Sequence, residues 1–170
     1  MAKGLGGTWA GAIVVGCVTA IALTGDRLPA RVASHFGADG LANGFMTRQG
    51  YLLFMLVITV ITAGLPAYLA GIAARRTPMW LNIPNKTYWL APERRIATAE
   101  FLIGHATALA AGLAMFLLGM HLLVIRANHL SPPHLELAPF AALMLAFAVA
   151  MAAWIARLHR RFRLGPGTEQ

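Results

Sequence analysis

The sequence is poor in the residues from which most catalytic and metal-binding sites are built. Its single cysteine, Cys17, lies in an apolar run and has no partner for an intramolecular disulfide or a thiolate metal cluster. The chain contains no HExxH pattern and no phosphate-binding glycine loop. Because these common motif-defined sites are absent, the sequence favours a non-catalytic protein.

Charged residues are also scarce, at 12% of the chain, and they fall between long apolar runs. A hydrophobic content of 58% and a mean hydropathy of +0.65 exceed the usual values of soluble domains, so a lipid bilayer is the expected solvent. The formal net charge of +8 comes from clusters beside the apolar runs. Such clusters favour anionic lipid headgroups as the partner and argue against nucleic acid.

Four apolar stretches are long enough to cross ~30 Å of hydrocarbon at a rise of ~1.5 Å per residue. They cover approximately residues 8–24, 50–74, 99–125 and 138–154. Ten of the 14 lysines and arginines lie on the side that holds both termini and the loop 75–98. The positive-inside rule therefore places this side in the cytoplasm and the loop 25–49 outside it. The sequence predicts a single all-α domain over residues 1–170, an integral membrane four-helix bundle.

Small residues recur at helical spacing and predict close contacts between helices, because lipid supplies no hydrophobic drive for association. The candidate packing residues on the third and fourth helices are Gly104, His105, Ala108, Gly112, Ala142 and Ala146. Such a pattern does not distinguish contacts within one chain from contacts between chains. A homo-oligomer therefore remains an alternative to packing within the chain.

The loop 25–49 contains a compact pattern of turn-forming and aromatic residues. Its members are Leu28, Pro29, His35, Phe36, Gly40, Asn43 and Gly44. This pattern resembles the signature of DUF1648, a family of bacterial membrane proteins that includes the amino-terminal part of bacteriocin immunity proteins of the SdpI type. The resemblance covers the first two helices and the loop between them. It implies a multi-pass fold in the bacterial cytoplasmic (inner) membrane.

The loop 75–98 is aromatic and basic, and it is broken by prolines. Aromatic rings with a polar edge suit the headgroup level of a bilayer, and basic side chains suit anionic lipids. The residues expected to lie at this cytoplasmic interface are Trp80, Lys86, Tyr88, Trp89, Arg94 and Arg95. Pro92 followed by Glu93 indicates that the third helix begins before the hydrocarbon.

Histidines offer the remaining candidate chemistry. One hypothesis places a transition metal at the outer face, where imidazole and carboxylate ligands would be supplied by His35, Asp39, His121, His129 and His134. Solvated and interfacial histidines are the expectation, so no cofactor is predicted. His105 lies inside the third helix, where we expect a neutral imidazole bonded to a carbonyl or hydroxyl; a ligand or proton-relay role is the alternative.

Two functions of different class follow from these observations. The first is a non-catalytic module that binds another membrane protein or a peptide, as an accessory subunit or as an immunity or signalling protein. The second is a metal-dependent or proton-coupled membrane enzyme or carrier that uses the outer histidines. A pore is less favoured than either, because no helix has a polar face.

Overall fold

The structure, a computed structural model, describes residues 5–76 and 82–163. Over these ranges it contains four helices long and apolar enough to cross a membrane, which confirms the predicted four spans. The elements are α1 (Leu5–Thr24), β1 (Arg31–Phe36), β2 (Ala42–Thr47), α2 (Arg48–Thr59), α3 (Leu65–Arg76), α4 (Lys86–Trp89), α5 (Pro92–Asn128) and α6 (Leu137–Phe162).

The second span is interrupted. A π-helical segment, Val60–Gly64, joins α2 to α3 and ends two residues before Pro66. Proline has no N–H to donate and its ring crowds the preceding turn, so a regular α-helical ladder cannot continue through it. A wider turn just before the proline accommodates this loss and keeps the span helical.

The long helix α5 is the centre of the bundle, since α1, α2, α3 and α6 all pack on it. It begins at Pro92 with Glu93 in its first turn, as the sequence predicts. The helix is longer than the predicted span 99–125, because a polar first turn precedes its apolar part.

Two groups of buried side chains hold the helices together. One lies at the carboxyl end of α5 and comprises Ile21, Leu28, Val32, Tyr51, Met55, Val124 and Ile125. The other lies nearer the middle of α5 and comprises Cys17, Ala63, Ala110 and Ala114.

Two of the predicted small residues on α5 make no close helix contact within the chain. Ala110 and Ala114 are buried, whereas a Cβ added at Gly104 or Gly112 would have nothing within 4 Å. Within the chain these two glycines face open space, and packing at them against another chain stays a prediction. Several alanines follow one another in this helix, so the sequence offered more than one small-residue face.

The loop 25–49 is not irregular, which corrects the all-α description in one place. Strands β1 and β2 form an antiparallel hairpin in which Arg31 lies opposite Thr47 and Phe36 opposite Ala42. The register shifts between Ala33 and Phe36, as in a β-bulge. The sequence indicated a shaped loop here, but its alternation was too short and irregular to identify strands.

Of the four spans, α6 is the least buried within the chain. It packs chiefly on α5, and its most apolar 18-residue window is 0% buried. Lipid, or another protein, is expected to cover a helix of this kind.

Candidate functional site

The hairpin is fixed to α5 by one amide side chain. Asn128, the last residue of α5, accepts a hydrogen bond from the Ala33 backbone N–H at 2.8 Å through its Oδ1. Its Nδ2 donates to the Ala33 carbonyl and to the Val124 carbonyl, both at 2.9 Å. The Asn128 amide thus acts as a substitute for a neighbouring strand at the bulged position of β1.

A second attachment joins the hairpin turn to the loop between α5 and α6. The Leu135 N–H donates to the Gly40 carbonyl at 2.8 Å, and the Ala42 N–H donates to the Pro133 carbonyl at 3.2 Å. Gly40 has a φ of 81°, and an added Cβ would lie 2.7 Å from the Leu135 oxygen. Both facts require glycine at this position. We call residues 31–47 together with 129–136 the hairpin cap.

The motif residues of the sequence analysis lie in this cap, except Leu28 and Pro29, which precede it. Leu28 is buried and Phe36 packs on the core, while Pro29 is exposed. The exposed His35 bonds through Nδ1 to Oδ1 of Asn43. A Cβ at Gly44 would lie 2.8 Å from the His35 Cβ, so glycine allows the strands to pair at this point.

The cap exposes three apolar side chains, of which Phe45 and Met46 are neighbours on β2 and so point to opposite faces of the hairpin. Leu41, Phe45 and Met46 are 47%, 45% and 37% exposed, and the Arg31 guanidinium lies 4.7 Å from the centre of the Phe45 ring. The backbone beneath these side chains is held by the contacts just described. An exposed apolar group on a fixed backbone is typical of an interaction site.

Beneath the cap lies a polar network that joins three spans. His121 is 0% exposed; its Nε2 lies 3.0 Å from the Thr24 hydroxyl and its Nδ1 lies 3.2 Å from the Tyr51 hydroxyl. The Tyr51 and His121 rings also stack, with 5.7 Å between their centres. His121 is therefore buried. The sequence interpretation had placed it among the solvated histidines of the outer face.

The tautomer of His121 follows from the neighbouring bonds. Thr24 has one hydroxyl hydrogen, which it donates to the Ala20 carbonyl at 2.5 Å. The hydroxyl oxygen must then accept from His121, so the proton lies on Nε2 and the Tyr51 hydroxyl donates to Nδ1. A neutral imidazole satisfies every partner in this network.

The structure does not assemble the hypothetical metal ligands. His129 and His134 bond locally, through Nδ1 to the Ile125 and Pro132 carbonyls, and Asp39 accepts from the Leu41 N–H. In residues 5–76 and 82–163, no three side chains of His, Cys, Asp or Glu are placed to share a metal ion.

An ion pair joins the end of α5 to the end of the loop that leads into α6. The Arg126 guanidinium donates two hydrogen bonds to the Glu136 carboxylate. These bonds stabilise the charged carboxylate and lower the pKa of Glu136 below its ordinary value.

His105 lies toward the other end of α5 and faces α6. Its ring stacks between Phe101 and Trp154, with ring centres 5.4 and 4.1 Å apart, and Trp154 Nε1 donates to the His105 carbonyl at 2.9 Å. The buried Nε2 has no hydrogen-bond partner among the described residues. We had expected a satisfied imidazole, so this is a departure from the sequence interpretation.

The other predicted packing residues lie near His105 and line open space between α5 and α6. Gly104 and Ala108 line one cleft, and Gly112 and Ala146 line an adjoining one. Ala142 is exposed on α6. These residues leave room between the two helices instead of bringing them together.

The aromatic-basic loop is only partly at the surface. Lys86 begins α4, Arg95 is exposed, and the Arg94 guanidinium lies 4.0 Å from the Tyr88 ring centre. Trp80 lies outside the described residues.

Trp89 differs from the prediction, because it is buried and not half exposed to headgroups. Its ring meets Phe162 edge to face at 5.5 Å, and Arg161 covers it at 4.5 Å. Thr98 donates to its carbonyl at 2.9 Å. Trp89 therefore links the loop to both α5 and α6.

Sequence reasoning missed Thr24, Tyr51 and Asn128. Tyr51 and Thr24 look like ordinary residues at the ends of apolar runs, and only the fold brings them to His121. Asn128 had a recognisable signal, since an amide at the end of an apolar helix requires partners when it is buried.

Residues 12–69 match a family model described as "Domain of unknown function (DUF1648)". The chain therefore contains a DUF1648 domain, which includes most of α1, the hairpin and the second span as far as Leu69. No curated protein and no solved structure matches the chain significantly.

Proposed function

We propose that this DUF1648-domain chain is a non-catalytic membrane module that binds a protein or peptide through the exposed apolar side chains of its hairpin cap. The observation that supports the proposal is the exposure of Leu41, Phe45 and Met46 together on one hairpin. Arg31 beside Phe45 adds a charged group that suits an acidic or carboxylate-bearing partner.

The way the hairpin is attached favours a role in binding a partner over a role as a simple connection between two spans. The Asn128 amide and the contacts of Gly40 hold the backbone before any partner arrives. A preformed surface loses little conformational entropy on association, so a few exposed apolar side chains can give useful affinity.

The setting of the proposal is the bacterial cytoplasmic membrane, with both termini in the cytoplasm and the cap outside. It is supported by the excess of Lys and Arg on the side of the termini and by the DUF1648 match. Anionic headgroups would contact the basic clusters on the cytoplasmic side. An accessory subunit, an immunity protein or a signalling protein would all use this arrangement.

Site-directed photo-crosslinking tests the proposal. A photoreactive residue in place of Phe45 is expected to give one reproducible protein or peptide adduct in intact membranes, identified by mass spectrometry. The matched control carries the same group in place of Leu53, which is 65% exposed on α2 and should meet lipid. The adduct should also disappear when Leu41→Ala and Met46→Ala are combined. Equal adducts at both positions, or none at Phe45, would overturn the proposal.

The competing function, a metal-dependent or proton-coupled enzyme or carrier, has weaker support. Its five candidate ligands are not brought together in the described part of the chain, and His121 is fully engaged by Thr24 and Tyr51. Elemental analysis of the purified chain, with His35→Ala and His134→Ala as comparisons, tests it directly.

A further inference from the structure

We propose that the chain binds one phospholipid with a zwitterionic, phosphoethanolamine-type headgroup in the cleft between α5 and α6. This site lies toward the end of the bundle opposite the hairpin cap, where α5 begins and α6 ends. It is separate from the proposed partner-binding side chains.

The polar end of the site is a cleft of about 520 Å³. Glu100 and His105 line it from α5, Trp154 and Arg157 from α6, and Trp9 from α1. A volume of this size accommodates a lipid headgroup together with part of its glycerol backbone.

His105 marks this cleft as a binding site, because it is a buried polar group without a partner. The residue is 6% exposed, and its Nε2 forms no hydrogen bond with any described residue. A buried polar atom that lacks a partner is costly, and the stacked Phe101 and Trp154 rings keep the imidazole from turning away. Nε2 itself is closed off from the open part of the cleft, so a headgroup oxygen would supply the missing partner once the side chains around the imidazole move slightly apart.

An apolar groove of about 280 Å³ lies beside the cleft along α5 and α6. Ala108, Ala150 and Trp154 line both spaces, so the two adjoin. Gly112 and Phe116 form part of its wall. A polar opening beside an apolar groove fits a molecule with one headgroup and an acyl chain.

The charges of the cleft select the headgroup. Glu100 and Arg157 are both exposed, and neither forms an ion pair with a residue that the structure describes. A carboxylate and a guanidinium at one opening complement the ammonium and the phosphate of phosphoethanolamine. A purely anionic headgroup would meet repulsion from Glu100, and a trimethylated ammonium could not donate hydrogen bonds to it.

Native mass spectrometry of the full chain in mild detergent tests this inference. Phosphatidylethanolamine, phosphatidylcholine and phosphatidylglycerol with identical acyl chains are added separately and in competition. We expect one phosphatidylethanolamine per chain, preferred by at least about threefold over each of the other lipids, the scale of one exposed charge contact.

Three substitutions separate the contributions of the cleft. Glu100→Gln should remove the preference for phosphatidylethanolamine over phosphatidylcholine. Arg157→Gln should weaken the binding of all three lipids. His105→Phe keeps the ring stacking and removes the nitrogen, so it should weaken binding without a large change in melting temperature. Arg160→Gln is the control, because Arg160 is exposed on the same helix and does not line the cleft.

A second measurement locates the acyl chain. Brominated phosphatidylethanolamine should quench the fluorescence of Trp154, and Trp154→Phe should remove most of this quenching. Equal binding of the three lipids that no variant changes would mean annular lipid only and would overturn the proposal. A preference for phosphatidylglycerol would also overturn it, in favour of an anionic ligand. The melting temperature of each variant shows whether a loss of binding is a loss of fold.

Discussion

The two ends of α5 are packed by different means. At the carboxyl end, hydrogen bonds from Asn128 and His121 join α5 to the hairpin, to α1 and to α2 over an apolar core. At the amino end, α6 contacts α5 through the stacked rings of Trp154 and His105, and clefts remain between the two helices. In lipid, apolar surface alone does not drive helices together, so interhelical hydrogen bonds and close contacts decide where the bundle is firm.

This contrast also bears on the DUF1648 domain itself. Residues 12–69 contain the hairpin, yet two residues of α5 that support this range lie beyond it: Asn128 bonds the hairpin, and His121 joins α1 to α2. The domain therefore depends on a helix outside its own boundaries for its firmest contacts.

The contrast predicts its largest effect at His121. His121→Ala removes both hydrogen bonds and leaves a cavity among α1, α2 and α5, so we expect a loss of about 2 to 4 kcal/mol in unfolding free energy. Thermal unfolding in mild detergent measures it. His129→Ala, which alters an exposed imidazole, is the control and should change little. Equal melting temperatures for His121→Ala and His129→Ala would show that the hydrogen bonds of His121 do not stabilise the carboxyl end of α5.

A smaller effect is expected at Asn128. Asn128→Asp keeps the shape but replaces the donor to the Ala33 and Val124 carbonyls with a second acceptor, so about 1 to 3 kcal/mol should be lost. Amide exchange at Ala33 should accelerate, because its own bond depends on this side chain. An unchanged exchange rate at Ala33 would show that the contacts of Gly40 and Ala42 are sufficient to fix the hairpin without Asn128. Gln49→Glu, an exposed amide-to-carboxylate change, is the control.

Glycine substitutions compare the two ends directly. Gly40→Ala meets both a positive φ and the Leu135 oxygen at 2.7 Å, and it should cost about 1 to 3 kcal/mol. Gly112→Ala meets nothing within 4 Å and should be neutral or stabilise α5 by up to about 1 kcal/mol. Matched melting curves check both. A destabilising Gly112→Ala would mean that the open side is occupied in solution.

The smallest effect concerns Glu136. The bonds from Arg126 lower its pKa in the folded state, so its contribution to stability is present above the ordinary carboxyl pKa and is lost as the pH falls through the lowered value. Glu136→Gln should therefore lower the melting temperature slightly near about pH 7, and the difference from the unsubstituted chain should shrink as the pH falls through the lowered pKa. A difference that persists in acid would assign the effect to packing.

Hydropathy was sufficient to predict the four spans, and Pro92 with Glu93 was sufficient to predict where α5 begins. These are local properties of the chain, and neither depends on what lies across the bundle. The hairpin was harder to predict, because its alternation is short, contains a bulge and depends on Asn128 for one edge. Burial of Trp89 was equally hidden, since Phe162 and Arg161 cover it from the far end of the chain.

The sequence alone was sufficient to predict that lipid surrounds this protein, how many helices span the membrane and which kinds of residue lie at each end of them. These properties follow from hydropathy and charge along the chain. The fold was needed to learn which small residues touch, that His121 is buried while His105 lacks a partner, and that Glu100 and Arg157 share one cleft. Rotation of α5 about its axis makes the difference: a turn of about 100° per residue moves a side chain from lipid to a neighbour, and only the packing of all four spans sets that angle.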